Sequence, residues 1–205
     1  MIRIEQVEYS LNKCAAILLL VLIILLLAGT TGASSPGPGA QVASLTLGMN
    51  GYVIGTELSE AQKEAAAANL SKDSYAGTYK FRDDDLFVVA AQNNDTILAI
   101  YKRMDEANMD EARLMVSGLM GLYGEPTAMA HDKLIYWAYT ADGKIPEETY
   151  TKLKDKNQPL DILATVKFSS SFEITAENGD GEESGSIYFI ITSESLIREF
   201  IKQEE

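Results

Sequence analysis

A single histidine, His131, and a single cysteine, Cys14, bound the nucleophilic chemistry open to this chain. A serine or cysteine mechanism needs an imidazole or a comparable base beside the nucleophile, so it would have to run through His131 and its neighbour Asp132. There is no G-x-S-x-G elbow, and Cys14 opens a run of apolar residues. His131-Asp132 therefore reads as a loop ahead of a strand. Asp83, Asp84 and Asp85 are chemically able to hold a hard cation. Consecutive side chains on extended backbone point apart, however, and the three read as a polar hairpin turn. The better calcium candidate is Glu177-Asn178-Gly179-Asp180-Gly181-Glu182-Glu183. It supplies oxygen ligands and two glycines but not the spacing of an EF-hand loop. Glycine-rich turns also join strands, and this segment lies between two of them, so it reads first as a turn. No phosphate loop, dinucleotide fingerprint or Cys/His metal spacing occurs. No catalytic residue, metal ligand or cofactor is assigned.

The elements that would position any such chemistry belong to an ordinary globular chain. Of 205 residues, 46% are apolar and 23% are charged. The net charge of −13 argues against nucleic acid, because phosphate contacts need clustered Lys and Arg. One cysteine excludes an intrachain disulfide framework.

The N-terminal part is a different material. Residues 14–33 begin CAAILLLVLIILLLA and carry no charge, which predicts a transmembrane anchor or a signal segment. Arg3 and Lys13 lie before it, and the next basic residue is Lys63. Basic residues stay on the cytoplasmic side, so residues 1–13 are expected there, with the remainder across the inner membrane. Retention as a single-pass anchor and cleavage after Ala33 to give a free periplasmic protein both remain open. Residues 34–44 are rich in Pro, Gly, Ser and Ala, and read as a linker with no apolar face to bury. The exported domain is expected at 45–205. The charges ahead of the apolar run cancel, so that domain carries the whole −13.

Within the domain, Ser59 followed by Gln62 makes a capping box before an alanine-rich helix. Strands follow at Thr78–Arg82, Leu86–Ala91 and Thr96–Lys102, joined by polar turns. Asn108 caps a second helix, with Asp110 and Glu111 in its first turn and Gly124 and Pro126 at its end. Three more strands, Leu134–Tyr139, Ile162–Phe168 and Ile187–Thr192, precede a final helix over Ser195–Gln203. Residues 143–158 are charged and read as a soluble, mobile connection. The pattern is an approximate duplication of helix plus three strands. It predicts an α+β fold, with helices on one face of an antiparallel sheet of about six strands.

Leu47-Gly48-Met49 resembles the "GM" that opens units of the SmpA/OmlA family of outer-membrane assembly lipoproteins. Tyr123-Gly124-Glu125-Pro126 resembles that family's G-x-P turn, and Tyr136-Trp137-Ala138-Tyr139 its following aromatic strand. A doubled helix-and-strands unit also resembles β-lactamase inhibitor proteins. The resemblance implies a non-catalytic module in the bacterial envelope whose partner is another protein.

Composition and resemblance together give the expected function: a membrane-tethered or exported protein-binding module, scaffold-like or inhibitor-like. The alternatives are an envelope hydrolase using paired carboxylates and a calcium-responsive module. The binding surface is expected on Leu134–Tyr139, where both faces of the strand are apolar. Leu134, Tyr136 and Ala138 point one way, and Ile135, Trp137 and Tyr139 the other. Ile135, Trp137 and Tyr139 are expected on the open face, because Trp and Tyr dominate protein-binding hot spots.

Overall fold

The structure, a computed structural model, describes residues 37–173 and 184–204. The 14–33 segment and the 177–183 turn lie outside the described residues.

Pro38–Ser44 form a short helix, α1, with proline in its first turn, where the missing N–H costs nothing. It lies in the span read as linker. Its apolar contribution is one residue, Val42, which is 0% exposed. A two-strand hairpin follows, β1 (Gly48–Met49) and β2 (Tyr52–Val53). Asn50 and Gly51 both take positive φ at its turn, as a tight hairpin requires. A Cβ on Gly48 would sit 2.0 Å from the Tyr52 carbonyl oxygen, so no other residue fits there. Helix α2 (Glu60–Ala68) carries the expected Ser59–Gln62 capping box.

An eight-stranded antiparallel sheet forms the body of the domain. Its strands are β3 (Thr78–Asp83), β4 (Leu86–Ala91), β5 (Ile97–Ala107), β6 (Ala128–Ala130), β7 (Leu134–Thr140), β8 (Gly143–Lys144), β9 (Ala164–Ser170) and β10 (Gly185–Thr192). The order across the sheet is β3-β4-β5-β10-β9-β7-β6, with β8 also on β7. The order mirrors about the β5–β10 pair. The outer edge of β3 is partly closed by residues 69–71, through Ser71 N–H to the Lys80 carbonyl and a bridge between Leu70 and Phe81.

Helix α3 (Met109–Tyr123) is capped by Asn108, and Glu111 completes its capping box. Residues 143–158, expected to be a mobile connection, instead hold β8 and a helix, α4 (Glu147–Asp155). Acids in the first turn of α4 and lysines in its last match the helix dipole. Helix α5 (Glu194–Glu204) ends the domain, with Leu196 and Phe200 buried.

One face of the sheet is the core. A single transverse row runs Phe81, Val88, Ile100, Ile191, Val166 and Trp137, each the direct partner of the next. All six are 0% exposed. Helix α3 covers this face through Tyr123, whose ring lies 5.9 Å from that of Trp137 and 6.4 Å from that of Phe189. The β1–β2 hairpin covers it through Tyr52, which meets the Phe81 ring edge-on and donates to Asp83 at 2.7 Å. Helix α4 does not join them: its Tyr150 touches Tyr136, on the opposite face.

Two predictions follow from this packing. Val42→Ala removes two buried methyl groups and should cost ~1–2 kcal/mol in denaturant melts; a true linker residue would cost nothing. Asp95 accepts from the Tyr79 hydroxyl at 2.7 Å and pairs with Lys63 at 3.2 Å. The Tyr79 bond first, and Lys63 after it, hold its pKa below the usual 3.8 despite some desolvation. The stabilisation is therefore complete above pH 3.8 and fades as pH falls through the lower folded value. In Asp95→Asn, melts between pH 5 and pH 2 should show a flatter decline than in the parent.

Candidate functional site

The face opposite the core is built by the same strands, shifted by one residue. Its central row runs Arg82, Phe87, Tyr101, Ile190, Lys167 and Tyr136, again each the direct partner of the next. A neighbouring row runs Arg103, Tyr188, Ser169 and Leu134. On the other side lie Lys80, Val89, Ala99 and Thr192. Phe87, Tyr101, Tyr136, Tyr188 and Ile190 are half-buried, and Tyr150 of α4 lies against Tyr136 at one end of the row. The third row closes at Thr165 and Ala138, both buried.

Rings and cations interleave on this surface. Phe87 and Tyr101 stack with centroids 4.8 Å apart. The Arg82 guanidinium lies 5.5 Å from the Phe87 centroid, that of Arg103 5.5 Å from Tyr188, and the Lys167 ammonium 5.5 Å from Tyr136. Each cation rests its stem on apolar surface and its charge over a π face. Arg103 also pairs with Asp105 at 2.8 Å, and Ser186 donates to the same carboxylate oxygen at 2.8 Å. The Ser186 bond, then Arg103, draws the Asp105 pKa down. Burial, with Tyr150 and Glu194 nearby, pushes the Tyr136 hydroxyl up to about 12, so it stays neutral and a donor at physiological pH.

The expected strip of Ile135, Trp137 and Tyr139 is not on this face. The three are 1%, 0% and 9% exposed and point into the core. The reason is volume and one polar atom. Trp137 is the largest fully buried side chain, and its indole N–H finds the Gly124 carbonyl at 2.8 Å. The open face would have left that group to water and the core with a void. Alternation then sends Tyr136 outward. The remaining open-face residues, Arg82, Phe87, Tyr101, Arg103, Lys167 and Tyr188, come from β3, β4, β5, β9 and β10. A signal was present: the basic residue inside an otherwise apolar strand marks its solvent parity, as Lys80 and Arg82 do in β3 and Lys167 in β9.

The fragments that carried the family resemblance interlock. The Tyr123 hydroxyl reaches the Gly48 carbonyl at 3.5 Å. Gly124 takes φ +70°, and Lys144 donates to the carbonyls of Tyr123 and Glu125 at 2.8 Å each. No protein family, curated protein or solved structure matches the chain in comparisons with all three.

Among the described residues, the carboxylates with shifted pKa, Asp85, Asp95 and Asp105, all move down, because each accepts from a cation or hydroxyl. A general acid needs the opposite shift. Asp84 and Asp85 form the β3–β4 turn and Asp83 ends β3, with Asp83 taken by Tyr52 and Asp85 by Lys102. His131 and Asp132 both take positive φ in the β6–β7 turn, and both are exposed. Among the described residues, no group of three or more His, Cys, Asp or Glu side chains is placed to hold a metal ion.

The two faces should separate in stability. Trp137→Ala empties a packed site and should cost ~3–5 kcal/mol. Tyr101→Ala loses one half-exposed cross-strand pair and should cost only ~1 kcal/mol. Equal losses in paired denaturant melts would mean that the Tyr101 face is covered.

Proposed function

We propose that this chain is a non-catalytic protein-binding module of the bacterial envelope, held at or exported across the inner membrane by its 14–33 segment. The observation that carries the binding reading is the row Arg82, Phe87, Tyr101, Ile190, Lys167 and Tyr136 on the half-exposed face of the sheet, which α4 meets at the Tyr136 end. A rigid sheet presents aromatic area at little entropic cost, and Arg and Tyr are the residues that anchor interfaces. The envelope setting rests on the apolar run and on the Arg3 and Lys13 asymmetry. The mirrored strand order supports an approximate duplication, with β3, β4 and β5 answering β7, β9 and β10. Resemblance to SmpA/OmlA-type and β-lactamase-inhibitor modules points the same way.

The test places a photo-crosslinking residue at Tyr101 and, as a control, at the exposed Glu64 of α2, in cells that make the full chain. A discrete protein adduct is expected from position 101 alone. With the partner identified and purified, Tyr188→Ala should weaken binding at least tenfold while leaving the melting midpoint nearly unchanged. Adducts from both positions, or from neither, would count against this face.

A further inference from the structure

The charge on the open face runs against the charge of the whole. The chain carries −13. The strand positions of the open face carry Lys80, Arg82, Arg103 and Lys167 against Asp105, and Glu194 of α5 adds a carboxylate near Tyr136. Asp105 is taken by Arg103 at 2.8 Å. Arg82 and Lys167 have no carboxylate within ion-pair distance among the described residues. The Arg82 Nε donates to the Asp84 carbonyl at 2.8 Å, and Asp85, which feels the Arg82 charge, is bound to Lys102. Two unpaired cations therefore stand in one row, with Phe87, Tyr101 and Ile190 between them.

The sheet sets the separation of their backbones, and both side chains lean the same way along the strand order, Arg82 over Phe87 of β4 and Lys167 over Tyr136 of β7. Arg82 is on β3 and Lys167 on β9, four strand spacings apart in the order β3-β4-β5-β10-β9. At ~4.8 Å per spacing this is about 19 Å. An extended chain rises ~3.3 Å per residue, so about six of its residues cover the same distance. Six is an even number, and side chains on extended backbone return to the same side every second residue.

We propose that this face binds an extended acidic segment of a partner protein lying across the strands, with two carboxylates six residues apart and apolar side chains at the two intervening positions on the same side. The carboxylates engage Arg82 and Lys167, and the apolar pair lies on Phe87, Tyr101 and Ile190. The inference rests on the protein-binding reading above and adds the chemistry and spacing of what is bound. Charge selects the partner, because any basic surface meets like charge in this row.

The probe is a labelled peptide, SESLSLSES, titrated by fluorescence anisotropy and NMR against the full chain in neutral detergent. It should bind with shifts centred on Tyr101 and Ile190, and weaken several-fold when salt rises from about 50 to 300 mM. A peptide with lysine in place of both glutamates, and one with the glutamates two residues apart, should bind at least tenfold more weakly. The double variant Arg82→Glu with Lys167→Glu should reverse the preference and take the lysine peptide. That reversal does not depend on absolute affinity, and an unchanged melting midpoint certifies the fold. Polyglutamate, which lacks apolar groups, should compete poorly. Equal binding of the lysine peptide, equal competition by polyglutamate, shifts away from this row, or no binding by any peptide would each overturn the acidic spacing. If crosslinks at position 101 persist in any of those cases, the face still binds protein and only its assigned chemistry is wrong. If the crosslinks also fail, the binding reading falls with it.

Discussion

The Trp137 indole N–H must find an acceptor if the ring is to be buried, and the rest of the sheet follows from how that requirement is met. The acceptor is the Gly124 carbonyl at 2.8 Å. It is available because α3 stops there, with Gly124 at φ +70° and ψ −161°. Lys144, from β8, binds the carbonyls on either side. A helix terminus would otherwise leave orphan carbonyls near a core, each costing about 1–3 kcal/mol if buried without a partner. Helix end, tryptophan and a β8 lysine thus form one polar knot within an apolar layer. It ties α3 to β7 and sets which parity of β7 faces inward.

That parity propagates. In an antiparallel ladder, direct partners share a face, so a choice made at Trp137 extends through Val166, Ile191, Ile100 and Val88 to Phe81. The residues one step along each strand share the other face. There the side chains are long or amphipathic: Arg82, Tyr101, Lys167, Tyr136. A cation on such a face keeps its hydration and lies over a ring, at little desolvation cost. The same guanidinium one residue away would be in the core without a counter-ion, which costs several kcal/mol. The segregation of charge on an acidic protein is therefore a direct product of strand alternation. No special motif is needed.

Local devices were legible in the residues. Ser59 with Gln62, Asn108 with the acids that follow it, and Gly124 with Pro126 set helix ends through short-range hydrogen bonds and backbone limits. The strand runs from Thr78 to Lys102 were legible because apolar and polar residues alternate around polar turns. Two helices were not. Helix α1 is short and anchors through Val42 alone, so no apolar period exists to read. Helix α4 has no buried residue, and its signal was the placing of Glu147 and Glu148 before Lys152 and Lys154. The candidate surface was harder still. Leu134 to Tyr139 is apolar on both parities, so alternation assigns no inside to it.

Taken alone, the sequence determined the segments: which residues pair locally, where helices cap, which runs extend, and that the chain is acidic with one apolar stretch. These depend on neighbours within a few positions, and sequence distance is spatial distance at that range. Which side of β7 faces the core was decided by tertiary structure. Gly124 is thirteen residues from Trp137, and the partners that complete the inner row lie on β9, β10, β5, β4 and β3. The joining of Arg82 and Lys167 into one surface was decided there too, because β5 and β10 pair at the centre and bring the two halves edge to edge. A row of side chains drawn from strands scattered over the chain exists only once the register is set, and register is a property of the assembled sheet.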